Sequence, residues 1–221
     1  MNMAHRYPVL ERARRITHTP DLDILEVRKH LGLPLANDMR QWLADQPPLR
    51  GLCLDFSGVR AVTLSVAEEV GPLLMQTVAQ DPALEQRYPT FHLRSPEPAY
   101  TFARAFANHS WAAVGTIEGS VDSMAATTPM ATLDDCGAVV ILGQLTKQME
   151  QILRFAELRA HSNAALTSED LIELDFLAEV SPAARSKRLT ELYVRRLLGF
   201  EENPRNPKER LFTATWRLPA R

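Results

Sequence analysis

Residues 181–216 read SPAARSKRLTELYVRRLLGFEENPRNPKERLFTATW, and this stretch decides how the chain is organised. Ser181 followed by Pro182 is a helix-start signal. The serine oxygen suits a first-turn N–H, and proline there loses no N–H that the helix would use. Leu189, Leu192 and Tyr193 then fall on one helical face, with Lys187, Arg188, Glu191 and Arg195 roughly opposite. The period then changes. Residues 198–202 read as a strand, 203–207 as a turn and 210–218 as a second strand. In that second strand Phe212, Ala214, Trp216 and Leu218 alternate with Leu211, Thr213, Thr215 and Arg217, the two-residue repeat of a half-buried ribbon.

The same end of the chain is basic. Residues 181–221 hold ten Lys/Arg against four Asp/Glu, a charge of +6. Of the chain's 25 basic and 27 acidic residues this leaves fifteen and twenty-three elsewhere, a charge of −8. The net value of −2 therefore hides a polar molecule with a basic end. At 221 residues the chain has room for one large domain or two small ones, each with its own core. Its two cysteines, Cys53 and Cys136, make no disulfide framework, and Cys53 sits in an apolar run as a small core residue. No secretory signal is visible at the start, and no apolar run reaches the roughly 20 residues of a membrane span. A cytoplasmic location is expected.

Ahead of the opening stretch, residues 1–20 are polar and basic, open between strand, helix and arm. Residues 21–27 suggest a short strand and 33–44 a helix. Residues 51–55 form an apolar run expected to be a buried strand. Thr63 or Ser65 is placed to cap a helix over 66–80, which Gly71-Pro72 should kink or split. Residues 89–93 predict a strand, 96–108 a helix and 111–117 a last strand. Residues 119–135, small and polar, mark the expected domain boundary. The run 138–142 is ambiguous between strand and helix. Helices are expected at 146–160 and 168–176, the second capped by Thr167.

Three helices followed by a two-stranded ribbon resemble the winged helix-turn-helix domains of bacterial transcription regulators, over residues 146–218. The best-matching run is Ser186-Lys187-Arg188-Leu189-Thr190-Glu191-Leu192, where that family carries its recognition helix. In the family the start of the third helix enters the major groove and the wing meets the backbone or minor groove. The resemblance implies that Ala183, Ala184, Lys187 and Arg188 face bases, with Arg185 in the same DNA-binding set. It further implies that Arg205, Lys208 and Arg210 on the wing bind phosphate. Arg185 departs from the pattern, since many members carry a small apolar residue there. Either it snorkels out at the helix end or the register shifts by one.

Residues 51–74, GLCLDFSGVRAVTLSVAEEVGPLL, resemble the core of a STAS domain, as in anti-sigma factor antagonists. They are more closely similar to bacterial STAS-like domains of unassigned function that share the run Asp55-Phe56-Ser57-Gly58-Val59. The similarity covers residues 21–118. The antagonists begin the helix with Asp-Ser-Ser-Gly and phosphorylate the first serine. Here the run is Thr63-Leu64-Ser65-Val66, so Leu64 takes the phosphorylatable place. Thr63 and Ser65 remain as hydroxyls near the helix start, read first as caps and second as regulatory sites. Asp55 and Ser57 read as turn formers.

The expectation is thus an α+β protein: an N-terminal STAS-like α/β sandwich over 1–118, a linker over 119–135 and a C-terminal winged helix-turn-helix over 136–221. Its expected partners are duplex DNA, a second copy of itself and a protein bound by the STAS-like half. The runner-up is a signalling adaptor that binds proteins through both halves. No phosphate loop, nucleophile elbow or metal-spaced His/Cys cluster points to catalysis, a cofactor or a metal.

Overall fold

The computed structural model describes residues 5–48, 50–118, 130–133, 139–162, 164–204 and 206–215. The chain begins with β1 (Arg6–Pro8), α1 (Val9–Thr17), β2 (Ile24–Leu25), α2 (Leu33–Asp45), β3 (Arg50–Asp55) and β4 (Ala61–Val62). It continues with α3 (Leu64–Glu68), α4 (Leu74–Gln80), β5 (Arg87–Leu93), α5 (Pro96–Asn108), β6 (Ala112–Ile117), β7 (Met130–Thr132) and β8 (Val139–Gly143). Then come α6 (Lys147–His161), α7 (Asp175–Ala178), α8 (Pro182–Val194), β9 (Leu198–Asn203) and β10 (Asn206–Ala214).

Six strands make one sheet in the order β1-β3-β5-β6-β8-β7. The first four are parallel, and β8 runs antiparallel to both β6 and β7. The expected last strand is therefore followed by two more. Residues 138–142, ambiguous in sequence, fall mostly within β8, so the sheet draws on chain from both sides of the stretch 119–135. Of that stretch, 119–129 and 134–135 lie outside the described residues, and Met130–Thr132 is strand.

Side-chain alternation along β6 and β8 divides the apolar residues between two cores. Ala113, Ile117, Val140 and Leu142 join a first core with α2, α3, α4 and α5. Ala112, Val114, Val139 and Ile141 join a second with α6, α8 and the β9–β10 hairpin. A strand buried on both faces needs no polar positions, which is why residues 138–142 carry no two-residue signature. Gly143 closes β8 with φ of 99°, and a Cβ there would stand 2.4 Å from the Trp111 carbonyl oxygen and 2.7 Å from Phe106 Cβ. Gly143→Ala should lower stability by about 2 kcal/mol, read as a reduced urea midpoint at unchanged slope.

The expected kink at Gly71-Pro72 is present. Gly71 leaves helical geometry (φ −108°, ψ −105°), and a π-helical turn over Glu69–Leu73 separates α3 from α4. Pro72 has no N–H to give an uninterrupted ladder, and a wider turn relieves its ring. The turn carries Glu69 into the interior, where it pairs with Arg28. Residues 1–20, left open above, supply β1 and α1 within the described part.

One helix differs from expectation. Residues 168–176 form a 3-10 turn (Asp170–Glu173) and the short α7, broken at extended Leu174. Leu171 and Leu177 are both buried in one core, and in a straight helix they would project about 120° apart, so the break at Leu174 lets both turn toward the same side. Ile172, between them in sequence, is half exposed.

Candidate nucleic-acid interface and strand-end cleft

Helix α8 starts as its sequence dictates. The Ser181 hydroxyl accepts the Ala184 N–H at 3.3 Å, Pro182 occupies the first turn, and Leu189 and Leu192 are buried. Ala183, Ala184 and Lys187 are exposed and Arg188 is half buried. Arg185 corrects the expectation that it belongs to the DNA-binding set. Its side chain is buried at 5% exposure, with Nε donating to Ser168 O (3.0 Å) and Nη1 to Val180 O (2.6 Å) and Leu177 O (3.4 Å). These carbonyls surround the corner before α8, so the guanidinium holds the corner together and is not offered to a ligand.

Strands β9 and β10 pair antiparallel, with Phe212 opposite Phe200, and Leu166 adds a two-bond bridge to Phe212 on the outer side. The expected alternation holds as far as Ala214, with Phe212 and Ala214 buried and Leu211 and Thr213 less so. Thr215, expected on the outer face, is instead buried and donates its hydroxyl to Leu197 O at 3.2 Å. Arg210 is exposed with its guanidinium 5.2 Å from the Phe200 ring centre. Glu201 and Glu202 stand exposed on the facing strand, giving the hairpin mixed charge. Arg205, Trp216 and Leu218 lie outside the described residues, as does the side chain of Lys208, whose backbone belongs to β10.

The far end of α8 is fastened to the sheet unit. Arg196 adopts φ of 62° just beyond the helix, and its buried guanidinium donates to Val78 O at 3.2 Å, at the α4 end. The Phe200 N–H donates to the Tyr88 hydroxyl at 3.4 Å, and Tyr193 OH donates to Glu85 at 3.3 Å. Burial pushes the Tyr88 phenol up to about 12, so it stays neutral. No local pattern announces these contacts, because each partner lies about a hundred residues away.

Thr63 occupies the cap position of α3, but its hydroxyl makes no cap bond. It lies 3.4 Å from the Ser65 hydroxyl, while the Thr63 carbonyl accepts the Val66 and Ala67 N–H groups. Helix α3 is thus started by backbone geometry rather than by either side chain.

At the carboxyl end of the parallel strands, Asp55 does form a turn, accepting the Ser57 N–H at 2.9 Å, and it also pairs with Arg6 at 2.6 Å. Burial works against its charge. The Arg6 guanidinium and the Ser57 N–H and hydroxyl outweigh that and hold the carboxyl below its usual range. A lowered folded value stabilises fully above the unfolded one, near pH 4, and the contribution fades as pH falls through the folded value. Asp55→Asn should therefore flatten part of the acid limb of a stability-versus-pH curve and lower stability near neutrality. In the next strand His92 bonds Thr116 (2.9 Å) and Glu118 (3.2 Å) through its two ring nitrogens. Cys53, on the same side of the sheet as Asp55, is buried, which pushes its thiol up to about 12. Beside these groups the ends of β3 and β5 open into a cleft of about 790 Å³.

No family model, curated protein sequence or solved structure matches the chain. Its own fold defines a mixed α/β protein built on a mostly parallel sheet. Among the described residues no helix is long and apolar enough to cross a membrane, and no three His, Cys, Asp or Glu side chains gather as a metal site.

Proposed function

We propose that the chain is a DNA-binding regulator of the winged helix-turn-helix kind, with α8 in the major groove of duplex DNA and the β9–β10 hairpin on the backbone. The observation that carries this reading is the start of α8. Ala183 and Ala184 leave its exposed first turn free of bulk beside Lys187, while Arg185 braces that turn from beneath. Small side chains admit a close approach of Lys187 and Arg188 to base edges, and Arg210 on the hairpin supplies a cation for phosphate. The +6 charge of residues 181–221 supports the same orientation. The N-terminal half acts as a STAS-like regulatory or partner-binding module, with Thr63 and Ser65 as its candidate regulatory hydroxyls. The protein works as a homodimer, since paired half-sites add affinity and specificity.

A fluorescence-anisotropy titration against duplex DNA across a salt series tests this. Affinity should fall steeply with salt, and Lys187→Glu/Arg188→Glu should weaken binding by roughly a hundredfold with the fold intact. One observation favours the second reading, a signalling adaptor. Glu201 and Glu202 are carboxylates that a phosphate backbone would repel. Absence of binding even at low salt would overturn the DNA reader and favour the adaptor.

A further inference from the structure

Among the described residues, the cleft at the ends of β3 and β5 shares no lining residue with α8 or the hairpin. It arises from two turns. After β3 the chain bends at Ser57-Gly58, and Gly58 sits so close to Leu10 that a Cβ would come within 2.8 Å of that side chain. After β5 it bends through Arg94 and Ser95 into α5. Both turns lie outside the carboxyl ends of parallel strands, the end of an open α/β sheet at which ligands bind, although the strand order does not reverse between β3 and β5.

The walls are apolar: Val59, Pro96 and the ring of Tyr100, which is 38% exposed. The polar groups at the mouth are chiefly donors. Arg94 is 73% exposed and forms only a loose ion pair with Glu118, at 3.8 Å and beyond hydrogen-bond reach, so its N–H groups are not spent on that carboxylate. Ser95 stands at the cap position of α5 without bonding any N–H there. Arg60 is already held by Asp23 at 2.8 Å, so it serves as wall. Glu97 is the one carboxylate among the described lining residues, and with Glu118 near the rim it opposes a multiply charged anion. The set therefore favours a single negative charge attached to a flat apolar body.

We infer that this cleft binds a small organic monocarboxylic acid, its body against Tyr100, Val59 and Pro96 and its carboxylate at the Arg94 guanidinium and Ser95 hydroxyl. The site is independent of the DNA-binding reading.

Isothermal titration calorimetry of the full chain with 2-naphthoate, and with its neutral counterpart 2-naphthalenemethanol, tests the inference. The acid should bind one site in roughly the millimolar range or tighter, as expected for a ligand of this size. It should bind roughly tenfold more tightly than the alcohol, the effect of one charge-assisted hydrogen bond. Arg94→Glu should remove that preference, with Arg94→Gln giving the same sign should glutamate disturb the fold. Tyr100→Ala should weaken both probes alike, and Lys187→Glu should leave both unchanged. Equal affinity for acid and alcohol, acid binding that survives both Arg94 variants within about twofold, or no binding at millimolar probe would overturn the site.

Discussion

Arg185→Ala is expected to cost about 3 kcal/mol of stability, seen as a lower urea midpoint by circular dichroism. The guanidinium joins the Ser168 carbonyl to those of Leu177 and Val180 in the turn that ends α7, at the corner before α8. A hydrogen bond from a charged donor contributes about 1.5–3 kcal/mol, and alanine would leave carbonyls facing a buried gap. Lysine should recover only part of the loss, since one ammonium lacks the planar fork that spans several acceptors. On the proposed DNA-binding reading, folded Arg185→Ala protein should keep the salt slope of that binding, because Arg185 gives its donors to the chain's own carbonyls. A loss below about 1 kcal/mol, or a changed slope, would return Arg185 to the proposed DNA-binding set.

Phe102→Ala should be still more damaging, by about 3–5 kcal/mol in the same assay. The Phe102 ring lies 4.8 Å from that of Phe56 and 5.3 Å from that of Phe91, centre to centre, and is fully buried. It also packs against the Gly71 kink, where a Cβ would stand 3.2 Å from its edge. A sheet on one side and a proline-bearing turn on the other leave little scope for the hole to collapse, which sets the cost of a core truncation. Phe102→Leu, which keeps much of the volume, should cost less than half as much. If alanine costs under about 1.5 kcal/mol, the surroundings are softer than their packing indicates.

These two residues differ in how far the sequence discloses them. Phe102 lies on the apolar side of a helix whose limits, Pro96 and Asn108, are readable from periodicity and the proline start. Arg185 does not disclose its role. A basic residue in a basic run reads as surface, and only the folded corner that brings the carbonyls of Ser168, Leu177 and Val180 together makes burial favourable. The cleft is similar. Asp55 and Ser57 are legible as a turn, but Arg94 and Tyr100 join them only through the parallel pairing of β3 with β5.

Local rules thus settled the elements with strong period or punctuation: α2, α5, α6, α8, the split at Gly71-Pro72 and the pairing of β9 with β10. In each, the determining interactions lie within a few residues along the chain. Tertiary structure decided what periodicity does not encode. It chose strand for residues 139–143 by burying both faces, and it broke 168–176 so that Leu171 and Leu177 could share one core. It set the α6–α8 and hairpin layer on the second face of the sheet, because Ala112, Val114, Val139 and Ile141 present an apolar surface that must be covered. A strand's two faces are visible in sequence only when one of them meets water; here neither does.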